Sequence, residues 1–200
     1  ILEKYYETNI HTFINQLEER GFYVASQSKP NYSQTVCSLS SSLNMGYLEG
    51  LSESLIDTND WIPFSIAMGE NRVSAFLKDR GYALVTYSSG FWPTEGISTD
   101  QKLRPLIALN EYEEIIIQNT PLMILYPDIL YDLHRNRISY TLNNLSQVNQ
   151  EGTPRFIFAH VYIPHPPFVF DRNGNHVRVP RGFIKYDADG YRLKGGTTAE

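Results

Sequence analysis

The chain is poor in cysteine and in basic residues. Cys37 is the one cysteine among 200 residues, which excludes an internal disulfide framework and a zinc site built from cysteines. Lys and Arg number 17 against 22 Asp and Glu, for a formal net charge of −5. A nucleic-acid-binding domain needs a basic face for phosphate contacts, so this balance argues against a nucleic-acid partner.

Long hydrophobic runs are also missing. No apolar stretch reaches the ~18 residues of a membrane-spanning helix, because Pro, Asn, Gln or His interrupt the most apolar segments, residues 113–127 and 155–170. No signal peptide is visible, and because the chain starts at Ile1 we expect it to be part of a longer polypeptide. The hydrophobic fraction of 42% still provides for a core, and the length suits one domain with at most a small subdomain.

Two segments of the sequence have the same pattern. In each, apolar residues at helical spacing are followed by a glycine and then by a run of residues typical of a strand. They predict helices that end at Gly21 and Gly81, followed by strands at residues 22–26 and 82–87. A third strand is predicted at residues 155–163, whose near-continuous apolar character is typical of a strand covered on both faces. Alternating helices and strands predict an α/β fold with a largely parallel sheet covered by helices on both faces.

Further helices are predicted at residues 109–118 and 137–148, and residues 90–105 and 164–182 are predicted to be loops because they are rich in Gly, Pro and Asn. In an open α/β sheet, ligands bind outside the carboxyl ends of the strands. Three polar loops follow the predicted strand ends, and we expect them to meet at one edge: residues 31–37, 88–94 and 160–171.

Thr35 is the first candidate for chemistry. It lies where a helix is expected to begin, and the free N–H groups of a helix N-terminus favour an anion. A threonine hydroxyl ionised by a divalent metal can attack phosphorus or sulfur; the alternative is that Thr35 or Ser33 caps the helix. Cys37 is interpreted as a small buried hydrophobe rather than a catalytic thiol. Nearby serines are expected to be packing or helix-surface residues: Ser38, Ser40, Ser41 and Ser42.

The second candidate is the pair His160 and His165 after the third predicted strand. Histidine can ligate a metal or, when charged, hold an oxyanion. Three prolines, at positions 164, 166 and 167, are expected to form a stiff rim that holds His165, which favours a functional role for it. For His160, a core histidine and a functional residue both remain open. The remaining histidines are expected at the surface: His11, His134 and His176.

An aromatic pair, Phe91 and Trp92, lies in the second polar loop. We interpret both as loop anchors, with an apolar wall for a lipid or aryl group as the alternative.

Three blocks of sequence, residues 19–48, 77–91 and 156–171, resemble in this order the sulfatase-like branch of the alkaline phosphatase superfamily. The likeness is greatest to bacterial proteins, often membrane-attached, that carry a sulfatase-type catalytic domain; lipoteichoic acid synthases and phosphoethanolamine transferases share the fold. The resemblance implies an alkaline-phosphatase-like α/β fold, of which residues 1–200 would form part. It also implies an extracytoplasmic location and a membrane-attached parent protein.

The resemblance also implies roles for individual residues. Thr35 matches the metal-bound nucleophile, which forms a covalent phospho- or sulfo-enzyme, and His165 matches the histidine that contacts the oxygens of the transferred group. Asn31 and His160 are further candidates for substrate binding. The implied cofactor is a divalent metal ion (Mn, Zn, Mg or Ca), with Thr35 as one ligand. The implied substrate is a small-molecule or lipid-linked phospho- or sulfo-ester.

The chain departs from the family pattern in two ways. Classical sulfatases convert a cysteine in a Cys-x-Pro-x-Arg context to formylglycine, but residues 38–41 after Cys37 are Ser-Leu-Ser-Ser. This favours Thr35 and phosphoryl transfer, with a sulfatase that uses an unmodified hydroxyl as the alternative. The metal site needs an acidic residue upstream of the first helix and a downstream Asp-His pair, and the chain has no Asp-His dipeptide. The metal ligands are therefore expected outside this chain, or it is a non-catalytic domain that binds a glycan or lipid headgroup.

Overall fold

The computed structural model describes residues 10–51, 53–55, 60–148, 152–163, 165–171, 173–177 and 183. The chain divides into two compact units, Ile1–Ser33 and Gln34–Glu200. The architecture is mixed α/β, with a small open sheet of three parallel strands and helices around it.

The first unit contains helix α1, His11–Glu19. The helix ends as predicted, because Gly21 has a φ of +84°, a left-handed conformation that suits glycine after a helix. The strand predicted at residues 22–26 is wrong. These residues are irregular, and Phe22 and Tyr23 are 61% and 92% exposed. A strand needs a neighbour for its backbone N–H and C=O groups, and the described part of this unit provides no second strand.

The second unit has seven α-helices among its described residues: α2 (Thr35–Leu43), α3 (Ile62–Gly69), α4 (Arg72–Lys78), α5 (Trp92–Glu95), α6 (Glu111–Gln118), α7 (Leu122–Leu125) and α8 (Ile129–Asn144). Short 3₁₀ helices are described at Leu48–Gly50, Glu53–Leu55 and Leu145–Gln147. The strands are β1 (Ala83–Tyr87), β2 (Gln101–Leu103) and β3 (Arg155–Phe158). No helix within the described ranges is both long enough and apolar enough to cross a membrane.

The sheet has the order β2-β1-β3, and both pairings are parallel. The central strand β1 is buried from Leu84 to Tyr87, so both of its faces are covered. Strand β3 was predicted to be covered on both faces and to extend to Ile163; both expectations are wrong, because β3 lies at an edge of the described sheet, is half-buried and ends at Phe158. Strand β2 and helix α5 lie within residues 90–105, which the sequence predicted to be a loop. That prediction is wrong, because β2 is a short polar strand ordered by its pairing with β1.

Helix α8 lies between two apolar clusters. Against the sheet, Tyr140 packs on Tyr87 with ring centroids 6.2 Å apart and also contacts the cluster around Val85. The second cluster is formed by buried residues from α8 and the segments that follow β3: Leu130, Tyr131, Ile138, Val169 and Phe183. Because Tyr87 is the last residue of β1, this packing holds α8 near the carboxyl end of the sheet.

Hydrogen bonds from buried side chains join α2 to α3. Ser40 Oγ donates to the backbone carbonyl of Phe64 over 3.2 Å, and Asn44 Nδ2 donates to that of Ala67 over 2.8 Å. These bonds hold α2 against α3. Helix α3 in turn reaches α5, where Ser65 Oγ donates to a backbone carbonyl over 3.2 Å. The hydrogen bonds of Ser40 and Asn44 therefore anchor α2 on α3.

Candidate functional site

Thr35 is the first residue of α2, and its side chain is exposed. The N-cap position belongs to Gln34, which has an extended conformation and makes no side-chain cap hydrogen bond. Within the described part of the chain, the Thr35 hydroxyl makes no hydrogen bond at all. The first turn has no acidic residue, so its N–H groups and the positive end of the helix dipole favour an anion. The capping interpretation of Thr35 and Ser33 is therefore wrong.

Cys37 lies in the first turn of α2, but its thiol is not activated. Burial raises the pKa of its thiol, and the sulfur donates to the side-chain oxygen of Gln34 over 3.9 Å. A nucleophilic thiol needs a lowered pKa, so these contacts support the packing interpretation. The same holds for Ser40 and Ser41, which are buried and hydrogen-bonded to backbone carbonyls.

The loops that follow β1 and β3 meet, as predicted. Phe91 is 4% exposed, and its ring centroid lies 5.5 Å from that of His160 and 5.8 Å from that of Tyr162. Phe91 is therefore a loop anchor. Thr35 takes no part in a hydrogen bond, ion pair or ring contact with these loops among the described residues. Asn31 is an exposed residue of the first unit.

His165 is held by Tyr162 and by its own backbone. Its ring stacks on that of Tyr162 with centroids 4.4 Å apart. Nδ1 lies 2.7 Å from the carbonyl oxygen of Pro166, and because a carbonyl oxygen only accepts, Nδ1 carries a proton. In the neutral ring, Nε2 then accepts from the Tyr162 hydroxyl over 3.4 Å. The ring is exposed, and its orientation is fixed by these contacts; Pro164 of the predicted proline rim lies outside the described residues.

His160 resembles a core histidine more than a titrating site residue. Burial lowers its pKa, the neighbouring His165 lowers it further, and the charge of Glu95 opposes both. Its Nδ1 is buried without a hydrogen-bond partner among the described residues. Burial and, to a smaller extent, Glu111 raise the pKa of Tyr162 to about 12. Both rings are therefore neutral at physiological pH.

His134 was predicted at the surface, and this is wrong. It is 2% exposed, and its ring lies 6.2 Å from that of Tyr162 and 5.7 Å from that of Phe183. The signal was present in the sequence, because Leu130, His134 and Ile138 recur every four residues, the spacing of one helix face. His11 and His176 are exposed as predicted.

A carboxylate missed by sequence reasoning organises the turn after β1. Glu95 Oε1 accepts from Ser88 Oγ over 3.1 Å, from Ser89 Oγ over 3.3 Å and from the backbone N–H of Gly90 over 2.8 Å. Oε2 lies 2.6 Å from Lys102 Nζ. Burial alone would raise the pKa of Glu95, but the hydrogen bonds and the charge of Lys102 outweigh it, so the pKa is lowered. Glu95 is an ionised structural anchor.

The lowered pKa of Glu95 predicts acid sensitivity. Above the ordinary value of 4.5, the carboxylate is ionised in the folded and unfolded states and its stabilisation is complete. As the pH falls, the unfolded state takes up the proton first, so stability is lost as the pH decreases through the lower folded pKa. Urea denaturation is measured from pH 7 to about pH 3. At neutral pH, Glu95→Gln should be less stable than the wild type, and on acidification it should lose less stability than the wild type does.

The control for this series is Glu70→Gln, which changes an exposed carboxylate outside the turn. It should follow the wild type at every pH. If Glu95→Gln lost as much stability in acid as the wild type, the ionised form of Glu95 would not be the stabilising one.

A cavity of about 580 Å³ opens at the carboxyl ends of β1 and β2. Its lining comes from the turn after β1, from β2 and from the start of α6: Ser88, Gly90, Trp92, Glu95, Lys102, Arg104, Ala108, Leu109, Asn110, Glu111 and Glu113. Trp92 is 36% exposed and lies in this wall, whereas its neighbour Phe91 is buried; its interpretation as a loop anchor stays a prediction. Thr35 and His165 are not among the lining residues.

The metal site implied by the resemblance does not fit the residues that the structure describes. These contain no group of three or more His, Cys, Asp or Glu side chains able to hold a metal ion, and the Thr35 hydroxyl alone is an insufficient ligand set. Asp100 is paired with Lys78 over 2.8 Å, and Asp171 accepts hydrogen bonds within its own turn. Asp57 lies outside the described residues.

Comparisons with known protein families, with curated proteins and with solved structures found no match. The resemblance of the three sequence blocks to the sulfatase-like branch therefore stays a prediction. What the structure shows by itself is a mixed α/β unit whose parallel strands end in a polar turn, an aromatic-histidine cluster and a cavity.

Proposed function

We propose that this chain is the nucleophile-bearing part of an alkaline-phosphatase-like domain that transfers or hydrolyses a phosphoryl group through Thr35. One observation carries the proposal. An exposed hydroxyl lies at the start of a nine-residue helix, in a first turn without acidic residues, and makes no structural hydrogen bond among the described residues. A residue placed there only for stability would cap the helix, and Thr35 does not.

In this proposal, Thr35 Oγ attacks phosphorus and forms a P–O bond as the bond to the leaving alcohol breaks. The hydroxyl proton ends on that alcohol. A water molecule or a second alcohol then attacks the phosphothreonine, which restores the free hydroxyl. Among the described residues, the N–H groups of the first turn of α2 are the ones that we assign to the stabilisation of the phosphoryl oxygens.

His165 is proposed to contact the oxygens of the transferred group. Its protonated Nε2 would donate to them, while the Nδ1 contact to Pro166 and the stacking on Tyr162 keep the ring oriented. Asn31 and His160 remain candidate substrate contacts. On the strength of the resemblance, we further propose a small or lipid-linked phosphoester as substrate and an extracytoplasmic, membrane-attached parent protein. The resemblance also supports a divalent metal as cofactor, whose ligands other than Thr35 would lie outside the described residues.

The test is a comparison of substrates with the full-length natural protein. Aryl phosphate monoester, phosphate diester and sulfate ester are assayed with Mn²⁺, with Zn²⁺ and with a chelator. We expect one of the phosphate esters to be cleaved well ahead of the sulfate, since residues 38–41 after Cys37 lack the Pro and Arg of the formylglycine pattern. Cleavage of the sulfate alone would replace the proposal by a sulfatase, and no turnover of any ester would replace it by a binding domain.

A further inference from the structure

We propose that the cavity lined by Trp92, Lys102 and Arg104 binds an anionic sugar, a sugar that carries a phosphate or a carboxylate. The inference does not depend on catalysis by Thr35, which is absent from the lining. A volume of about 580 Å³ lies within the range of small-molecule sites, and the carboxyl ends of parallel strands are where such sites form.

The hydrogen-bonding capacity that the lining leaves unused consists mostly of donors. Arg104 is exposed and makes no hydrogen bond or ion pair with the described residues. The indole N–H of Trp92 is likewise without a partner among them. Lys102 gives two of its three N–H groups to Glu95, at 2.6 Å to the carboxylate and 2.7 Å to the backbone carbonyl, which leaves one. Three donors facing one cavity favour a ligand rich in acceptors.

The carboxylates of the lining do not cancel this preference. Glu95 is neutralised by Lys102, and its Oε1 already accepts three hydrogen bonds. Glu111 and Glu113 lie in the first turn of α6, where the positive end of the helix dipole offsets part of their charge. Each also accepts a backbone N–H, that of Trp92 for Glu111 over 3.1 Å. The guanidinium of Arg104 is left as the cation able to bind a phosphate or carboxylate with two parallel hydrogen bonds.

The exposed indole of Trp92 identifies the rest of the ligand. It offers a flat apolar face with one N–H at the edge, which complements a sugar ring, whose C–H face is apolar and whose rim carries hydroxyls. The same wall contains side chains that can bind those hydroxyls. The carboxylates of Glu111 and Glu113 can accept hydrogen bonds from them, and the side-chain amide of Asn110 can accept or donate. An inorganic anion would leave this part of the cavity unused.

The experiment is a titration of the 200-residue chain with glucose 6-phosphate, glucuronate, glucose and inorganic phosphate, followed by tryptophan fluorescence and by calorimetry. We expect saturable binding of at least one of the two anionic sugars, and weaker binding of glucose and of phosphate alone. The difference between the two anionic sugars identifies the anion. Trp92→Phe should abolish the fluorescence change, because Trp61, the other tryptophan, is not among the residues that line the cavity.

Arg104→Gln should weaken the binding of the anionic sugar by about tenfold or more without affecting the fold, since the side chain is exposed. Arg72→Gln is the matched control, because it removes the same charge from an exposed position on α4 outside the cavity, and it should bind as the wild type does. Equal losses in both variants, equal affinity for glucose or for phosphate alone, or no saturable binding would each overturn the proposal.

Discussion

Thr35→Ala is expected to reduce phosphoester turnover by about 10³-fold or more, the size of effect seen when an enzyme loses its nucleophile. The same substitution should change the free energy of unfolding by less than about 0.5 kcal/mol. The second expectation follows from the structure, in which the side chain is exposed and the hydroxyl makes no hydrogen bond to the described residues. Initial rates with the preferred ester and urea denaturation of the same preparation measure both quantities.

Two variants control this experiment. Thr35→Ser keeps a hydroxyl at the start of α2 and should retain part of the turnover. Ser42→Ala removes a hydroxyl from an exposed position of the same helix and should leave both rate and stability unchanged. A loss of about 1 kcal/mol in Thr35→Ala with unchanged turnover would show a capping role instead.

Gly90→Ala is expected to lower the free energy of unfolding by about 3 kcal/mol or more. A Cβ at this position would lie 1.8 Å from Nη1 and 2.6 Å from Cζ of Arg137. Gly90 also has a φ of +73°, which strains any residue with a side chain. Arg137 cannot retreat easily, because it is 3% exposed, pairs with Glu114 over 3.5 Å and donates to the carbonyl of Leu109.

The matched control is Gly81→Ala. Gly81 has a similar φ of +79°, but a Cβ there would meet nothing within 4 Å. It therefore isolates the backbone strain, and we expect a loss of about 1–2 kcal/mol. The excess loss in Gly90→Ala, measured by urea denaturation, reports the collision with Arg137. Equal losses in the two variants would mean that the guanidinium moves aside at little cost.

The parts of the fold that could be predicted are those determined by a few neighbouring residues of the sequence. Gly21 and Gly81 end helices where a left-handed residue is needed, and Asn110 begins α6 with a reciprocal capping box to Glu113. The wrong strand and loop predictions have a common cause, because whether a segment forms a strand depends on a neighbouring strand that pairs with it. Residues 22–26 have strand-like composition but no described neighbour, whereas β2 has a polar sequence and is a strand because β1 lies beside it.

The candidate site divides in the same way. The position of Thr35 at a helix start could be predicted from its local sequence, and the convergence of two of the three loops followed from the parallel sheet. The roles of Thr35 and His165 in a site stay predictions. The importance of Glu95 could not be predicted, because it comes from the turn that folds around it. The cavity beside Arg104 could not be predicted from the sequence either. It depends on how β2 and α6 are placed relative to each other in the fold, and no sequence pattern indicates that placement.

The brevity of the outer strands bears on self-association. Strand β2 has three residues with Lys102 in the middle, and β3 has four. An exposed sheet edge offers unpaired backbone groups to a second chain, and short edges that carry a lysine are a common protection against such pairing. The longest of the three described strands, β1, is enclosed between them. The order β2-β1-β3 thus leaves β1 without an unpaired edge to offer to another chain.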